Sequence, residues 1–274
     1  MASLPLACPI NKKGLNFGGE TDTIQERRTK AEGRMRGIQL KQMAADLLFP
    51  RASHCLCCGD PRRASEEDCL CDACRRALAE KRVPAQACNR CLSPVSSGQG
   101  CAFCRSSLMK PLERVFAPYR YAGEVRQLIH ALKFDACGEA VPLLADAMAG
   151  ALPVRDFDCI VPVPLHRRRL RQRGFHQTLL LSRALSEIVG IPVAEDVLYQ
   201  TRYHRPQSRT PMKRRRANVE KDYAASGAAK GKRILLLDDV RTTGSTACAC
   251  AAALRKAGAQ NVSLCVCAVV YRKK

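Results

Sequence analysis

Two adjacent carboxylates and a run of hydroxyl side chains share one short stretch of the sequence. Asp238 and Asp239 follow an apolar run, and directly after them come Thr242, Thr243, Gly244, Ser245 and Thr246. A helix that begins in such a loop presents backbone N–H groups and the positive end of its dipole, which suit a phosphate. The two acids would repel that phosphate, so we expect them to face the vicinal hydroxyls of a sugar, or a Mg²⁺ shared with it. The stretch therefore predicts a sugar-phosphate site.

An ordinary capped helix is the alternative explanation of this stretch. Ser245 or Thr243 would then be the N-cap, and the preceding strand would merely end in aspartates. We favour the sugar-phosphate site because a buried strand, two acids, a hydroxyl-rich turn with one glycine and a helix start follow one another without interruption.

Two arginine-rich segments could bind further anionic groups. Residues 167–173 contain five arginines in seven positions, and residues 202–221 contain a second basic run interrupted by prolines. Arginine is costly to bury unpaired, and its planar fork matches the adjacent oxygens of a pyrophosphate. The second run is predicted to be a long loop that closes over a substrate. The alternative for each is a solvated basic loop, or one that grips nucleic-acid phosphates. The candidate ligands are Arg169, Arg173, Gln207 and Arg216.

Ten of the seventeen cysteines fall between Cys55 and Cys104. They include four C-x-x-C pairs: Cys55 and Cys58, Cys71 and Cys74, Cys88 and Cys91, Cys101 and Cys104. Two pairs provide the four thiolates of a tetrahedral Zn²⁺ site. Sequential pairing gives two zinc ribbons, an interleaved arrangement is equally allowed by the spacing, and Cys57 and Cys69 are alternative ligands. Redox dithiols and an iron–sulfur cluster are rivals. The short, apolar-poor block favours structural zinc, because it has too little core to fold without metal.

Hydrophobic periodicity predicts the elements that must position these groups. Apolar residues recur with helical spacing over 125–132, whereas residues 233–238 form the continuous apolar run of a buried parallel strand. The other predicted elements are a strand or hairpin at 115–121, a strand at 158–163, helices at 179–189 and 245–257, and a strand at 262–270. Alternation of strands and helices predicts an α/β fold with a parallel sheet, preceded by a small Cys-rich zinc-ribbon domain.

Composition divides the chain into three parts. Residues 1–45 are polar and charged without sustained periodicity, so we expect a disordered extension. Residues 46–110 hold the cysteine pairs, and residues 111–274 hold the α/β pattern.

The charge balance limits the partners. There are 46 Lys and Arg against 25 Asp and Glu, a net charge of +21, which points to polyanions such as nucleic acid or phosphorylated metabolites. No secretory signal opens the chain, and no apolar run reaches the roughly 18 residues of a membrane span. We expect a cytoplasmic protein without membrane insertion, in which clustered cysteines bind metal.

These motifs together resemble two nested groups of proteins. The hydrophobic strand, acidic pair and T-T-G-S-T loop at 238–246 resemble the type I phosphoribosyltransferases. The order P-V-P-L-H at 162–166, R-G-F-x-Q at 173–177 and L-L-D-D-V-x-T-T-G-S-T at 236–246 is similar to the ComF family, which includes GntX-type proteins. The cysteine pairs and a Y-x-G-x-V-R-x-L-I-x-x-L-K-F segment at 121–134 extend the resemblance over about residues 47–271. His176 departs from the family's usual Asn, and the basic loop lacks the usual Thr before Gln207.

The resemblance implies roles for the candidate residues. The 242–246 loop would bind the 5-phosphate of phosphoribosyl pyrophosphate, and Asp238 and Asp239 the ribose 2- and 3-hydroxyls. Arg169 and Arg173 would bind the pyrophosphate with Mg²⁺, covered by Gln207 and Arg216, and a nucleophile that no residue identifies would displace it.

The family's association with DNA uptake and natural transformation implies two further kinds of partner, single-stranded DNA and uptake proteins. The alternative function is a non-catalytic module that binds single-stranded DNA or docks to the competence machinery. A purely structural zinc adaptor is a third possibility, but it leaves the phosphate loop unexplained.

Overall fold

The computed structural model describes residues 54–61, 69–95, 101–105, 109–134, 139–153, 156–166, 170–171, 174–201 and 222–271. The helices in this part of the chain are α1 (Asp72–Glu80), α2 (Ala102–Arg105), α3 (Gly123–Phe134), α4 (Ala140–Gly150), α5 (Gln177–Val189) and α6 (Ser245–Lys256). The strands are β1 (Val115–Phe116), β2 (Tyr119–Arg120), β3 (Cys159–Pro162), β4 (Leu198–Gln200), β5 (Tyr223–Ala225), β6 (Arg233–Arg241) and β7 (Asn261–Val269).

A five-stranded parallel sheet forms the centre of the α/β part. Its order is β1-β7-β6-β3, with β2 also paired to β7, and β6 and β7 are the two long inner strands. Strands β4 and β5 form a separate antiparallel pair on either side of residues 202–221. The predicted α/β class with a parallel sheet is confirmed.

The two faces of the sheet carry different layers. Along β6, Leu235 and Leu237 pack in a core with α3, α4 and α5, whereas Ile234 and Leu236 pack in a second core with α6. This alternation explains the continuous apolar run, because a strand covered on both faces buries every side chain.

The edge of the sheet next to β7 is one interrupted strand. Val115 pairs with Leu264 and Tyr119 with Ala268, both in parallel. The strand alternative for residues 115–121 is therefore confirmed and the hairpin alternative is wrong. Pro118 lies in the interruption, where a residue without an N–H cannot continue the ladder.

Helix α4 was not among the elements predicted from the sequence. Pro142 lies in its first turn, where a missing backbone N–H is tolerated. In the sequence, however, a proline is normally taken as the end of a helix, so α4 was not predicted. Val141, Leu144, Ala145 and Met148 are buried at helical spacing, so α4 is one of the layers that cover the sheet.

The cysteine-rich block packs on the α/β part. Cys74 and Leu78 share a core with Val125 and Leu128 of α3, and the backbone N–H of Val115 donates to the carbonyl of Arg90. The division of the chain at residue 110 remains a prediction.

Several predictions fall outside the described residues. These are the disordered extension at 1–45, the proposed pyrophosphate ligands Arg169 and Arg173, and the covering-loop residues Gln207 and Arg216. Every helix within the described ranges is too short or too polar to span a lipid bilayer.

Candidate sugar-phosphate site and cysteine clusters

The acidic pair lies on β6 just beyond the point where its neighbour β3 has ended. The last residue of β3, Pro162, is paired with Leu237, while β6 continues along β7 to Arg241. The strand is thus three residues longer than the predicted end at Asp238. Asp238 and Asp239 therefore lie at the carboxyl edge of a parallel sheet, where α/β proteins bind ligands.

Burial and mutual repulsion act on this pair. Asp239 is 8% exposed, and its backbone N–H donates to Asp238 Oδ1 at 2.9 Å. Burial, followed by the negative charge of Asp239, raises the pKa of Asp238 to about 7. Asp238 is therefore protonated in part of the molecules at neutral pH, which lowers the negative charge at this end of β6.

A lysine from another element neutralises part of that charge. Lys133, near the end of α3, has its Nζ 2.7 Å from Asp239 Oδ2, and both side chains are largely buried. No role was predicted for Lys133, although it belongs to the 121–134 segment that carries the family resemblance. Only the fold brings α3 beside the end of β6.

The 242–246 loop joins β6 to α6 and starts the helix with a glycine. Gly244 is the N-cap, with φ +75°, so no side chain of the N-cap residue satisfies the first N–H groups of α6. Thr243 Oγ1 lies 3.0 Å from Ser245 Oγ and 3.4 Å from the backbone N of Ser245. The alternative in which Thr243 or Ser245 caps α6 as an ordinary N-cap is therefore weakly supported, because the one hydroxyl–backbone distance is long and the N-cap residue is Gly244. Backbone N–H groups and hydroxyls collect at the positive end of α6, an arrangement that suits an oxyanion.

His176 has a structural position next to the first arginine segment. It is the N-cap of α5; its Nδ1 lies 3.2 Å from the backbone N of Leu179, and its Nε2 lies 3.1 Å from the backbone N of Leu165. Thr178 Oγ1 is 3.0 Å from Nδ1 and donates to the carbonyl of Val163. Burial lowers the pKa of His176. A neutral ring accepts from a backbone N–H through only one of its nitrogens, Nε2 from Leu165 or Nδ1 from Leu179, so in either tautomer the ring lies between the segment after β3 and the start of α5.

The first cysteine cluster brings two sequential pairs together. It consists of Cys55, Cys58, Cys71 and Cys74, whose sulfur atoms lie within 4.8 Å of one another. Cys57 and Cys69 are not in this group: their Sγ atoms donate to the carbonyls of Glu124 and Glu139. Burial acts to raise the pKa of Cys55, but backbone N–H groups, with Cys58 first among them, lower it to about 6. Donors to sulfur of this kind stabilise thiolates, the form that binds metal.

The second cysteine cluster consists of Cys88, Cys91, Cys101 and Cys104, also within 4.8 Å of one another. Its sulfur–sulfur distances include 3.7 Å for Cys88 and Cys104 and 3.4 Å for Cys91 and Cys101. A tetrahedral site with Zn–S bonds of about 2.3 Å places its sulfurs about 3.8 Å apart, so both clusters could hold Zn²⁺. The described cysteines form no disulfide. The structure selects sequential over interleaved pairing.

The chain is similar in sequence to a known domain family and to several bacterial proteins. Residues 179–274 match the family described as the phosphoribosyl transferase domain. The chain is 31% identical over 174 residues to the DNA utilization protein YhgH of Escherichia coli O157:H7, covering 60% of this chain and 77% of that protein. The chain belongs to the ComF family. Competence protein F of Haemophilus influenzae is 32% identical over 110 residues, which cover 39% of this ComF-family chain and 48% of the relative.

Solved structures were also compared with this ComF-family protein. The glutamine phosphoribosylpyrophosphate amidotransferase from B. subtilis, complexed with ADP and GMP, is 24% identical with a TM-score of 0.34. The match covers 46% of the ComF-family chain and 26% of the amidotransferase, so the chain spans about a quarter of that structure.

Proposed function

We propose that this ComF-family protein binds phosphoribosyl pyrophosphate and transfers or hydrolyses its phosphoribosyl group. The observation that carries the proposal is the placement of Asp238 and Asp239 at the carboxyl edge of the sheet, directly before a hydroxyl-rich loop that opens α6. The match to the phosphoribosyl transferase domain supports this proposal, since the matched residues 179–274 include both the acidic pair and the hydroxyl-rich loop.

Each side chain has a part in this proposal. The 242–246 loop binds the terminal phosphate, and the acidic pair accepts hydrogen bonds from the ribose diol. Lys133 holds Asp239 in the ligand-free protein and limits repulsion between the two acids. In transfer, a nucleophile forms a bond to C1 of the ribose while the C1–O bond breaks and pyrophosphate leaves. Mg²⁺ on the pyrophosphate, with Arg169 and Arg173, would stabilise the leaving group, and Gln207 and Arg216 would lie on the covering loop.

We further infer that both cysteine clusters bind Zn²⁺. Four thiols at tetrahedral spacing, with backbone N–H groups directed at Cys55 and Cys88, are the donor set that structural zinc uses. The bound ions would contribute folding free energy to a block that is rich in loops.

Calorimetric titration tests the sugar-phosphate site. Phosphoribosyl pyrophosphate with Mg²⁺ should bind the wild-type chain, and the double variant Asp238→Asn/Asp239→Asn should lose most of that affinity. Release of pyrophosphate in the presence of the wild type, but not of the Asp239→Asn variant, would show catalysis. Equal binding by wild type and double variant would exclude the proposed site.

A second candidate function is binding of single-stranded DNA. The relative from Escherichia coli is named a DNA utilization protein, and this chain carries a net charge of +21. Tyr199 on β4 is 50% exposed, and in the sequence it comes three residues before the basic 202–221 segment. Exposed aromatic side chains and basic residues are the groups with which proteins bind single strands.

Salt dependence separates the two functions. DNA affinity that falls steeply with salt and is unchanged in Asp239→Asn would indicate a DNA-binding surface independent of the acidic pair. Tyr199→Ala should then weaken DNA binding while leaving the titration with phosphoribosyl pyrophosphate unchanged.

A further inference from the structure

The second cysteine cluster lies directly against the 242–246 loop. Phe103 stands between Cys101 and Cys104 in the sequence, and a Cβ placed on Gly244 would lie 3.3 Å from its Cζ. That distance leaves no room for a side chain at Gly244 unless the ring moves. The backbone of the loop at Gly244 therefore packs against the ring of Phe103, a residue that lies between two candidate metal ligands in the sequence.

Arg241 makes a second connection between the loop and the cluster. It ends β6 immediately before the loop and is only 3% exposed. Its guanidinium carbon lies 5.0 Å from the centroid of the Phe103 ring, and its NH2 group donates to Ser93 Oγ at 3.4 Å. The carbonyl of Ser93 in turn accepts the backbone N–H of Cys88, so Arg241 contacts one neighbour of each cysteine pair of the cluster.

The buried charge of Arg241 is poorly compensated by the protein alone. Its Nε has no hydrogen-bond partner, and no ion pair joins it to a carboxylate among the residues that the structure describes. Burial lowers the pKa of Arg241, as expected for a guanidinium removed from water. Four thiolates around Zn²⁺ carry a net double negative charge, which would compensate a guanidinium held beside them.

We propose that the metal ion of the second cluster holds the 242–246 loop in its phosphate-binding shape, with Arg241 and Phe103 as positioning residues. The inference rests on the proposed function, because it concerns the affinity of the same loop. Linkage makes the effect reciprocal: if metal strengthens sugar-phosphate binding, sugar phosphate retains metal by the same factor.

The first cluster serves as a control within the same chain. It packs on the other side of the sheet, in the core that contains Val125 and Leu128, and Cys57 beside it contacts the carbonyl of Glu124 in the first turn of α3. Lys133 is nine residues further along the helix, about 13 Å away. Among the described residues, no hydrogen bond joins the first cluster to the 242–246 loop, so a metal ion bound there would lack the contacts that the second cluster has.

Metal retention in the wild-type chain gives the first test. Zinc passing to a colorimetric chelator is followed with and without ribose 5-phosphate, a probe that carries the terminal phosphate and needs no Mg²⁺. We expect ribose 5-phosphate to protect one of two zinc ions by about tenfold. The protected ion should be absent from Cys104→Ser and present in Cys74→Ser.

Paired arginine variants give the second test. Arg241→Met keeps an unbranched apolar stem and removes the guanidinium, and it should weaken binding of ribose 5-phosphate by about tenfold and abolish the protection. Arg241→Lys should restore part of both. Arg82→Met is the matched control, since Arg82 also lies over a ring, that of Tyr119 at 5.9 Å, but Tyr119 belongs to the core on the other face of the sheet from the second cluster.

The outcomes separate this inference from the proposed function. If the metal-loaded wild type binds ribose 5-phosphate but neither ion is protected, or both are protected equally, the coupling is wrong and the sugar-phosphate site stands. Unchanged affinity in a folded Arg241→Met would likewise overturn the coupling alone, and the wild-type measurement decides if that variant does not fold. Wild-type protein that binds neither ribose 5-phosphate nor phosphoribosyl pyrophosphate overturns both proposals.

Discussion

At the scale of single residues, the candidate site places like charges together and buries them. Asp238 and Asp239 are adjacent in β6, the second is nearly inaccessible, and one lysine, Lys133, offsets their repulsion. Such an arrangement destabilises the folded protein and is typical of positions that act on a ligand.

Asp238→Asn should stabilise the protein while it weakens binding. The pKa of Asp238 is raised in the folded state to about 7, so its protonated form is the one that folding favours. The stability it contributes is complete at pH values below the unfolded pKa of about 4 and is lost as the pH rises through about 7. We expect Asp238→Asn to exceed wild type by about 4 kcal/mol in unfolding free energy at pH 8, with a smaller difference at pH 6. Urea denaturation at both pH values measures this, and an equal difference at both would contradict it.

His176→Ala should destabilise the chain by about 1 kcal/mol through loss of the N-cap of α5. His176→Asn should retain most of the cap, because a carboxamide oxygen also accepts from backbone N–H groups. The pKa of His176 is lowered on folding, so its contribution is complete above the unfolded value of about 6.5 and declines as the pH falls below it. Denaturation at pH 7.5 and pH 5.5 should therefore show wild type losing stability relative to His176→Asn at the lower pH.

At the scale of elements, a strand, a turn and a helix together make the phosphate loop. β6 continues for four residues beyond its last pairing with β3, and this difference places the acidic pair at the carboxyl edge of the sheet. The turn then closes on Gly244, whose positive φ lets α6 begin at once and present its N–H groups.

Gly244→Ala should weaken sugar-phosphate binding strongly. The new Cβ would meet Phe103 at 3.3 Å, and φ +75° is unfavourable for alanine, so the loop must change shape. Gly190→Ala is the matched control: Gly190 has φ +73° at the end of α5, but nothing lies within 4 Å of its Cβ position. Both variants should lose about 1 kcal/mol of stability, and only Gly244→Ala should lose affinity for phosphoribosyl pyrophosphate by calorimetry. Equal loss of affinity in both would argue against a specific role of the loop.

At the scale of the whole molecule, the two cysteine clusters lie against opposite layers of one sheet. The first shares a core with α3, and the second shares a core with α6 and with alternate residues of β7. Metal ions bound at these clusters would therefore stabilise the α/β part as well as the cysteine-rich block.

Removal of metal should lower the stability of the whole described unit. Because Cys55 and Cys91 are almost fully buried within the two cores, chelation should shift the single calorimetric transition of the chain to lower temperature. Two separate transitions, with only the smaller one sensitive to chelator, would instead indicate an independent domain at residues 46–110.

The sequence by itself determined the elements and the chemical types of the groups. Residues 233–238 can be recognised as a buried strand because burial on both faces requires an apolar side chain at nearly every position. The C-x-x-C pairs can be recognised because metal ligation requires that spacing. The acidic pair and the hydroxyl loop were found for the same reason, as contiguous residues. Helix α4 was missed, since a proline in its first turn resembles a break.

Only the tertiary structure decided which distant groups meet. Lys133 reaches Asp239 because α3 covers the face of the sheet on which β6 ends, and Phe103 reaches Gly244 because the second cluster packs beside α6. The choice between sequential and interleaved cysteine pairing was likewise made by packing. Contacts between residues that are far apart in the chain depend on how layers pack, and local spacing carries no record of that.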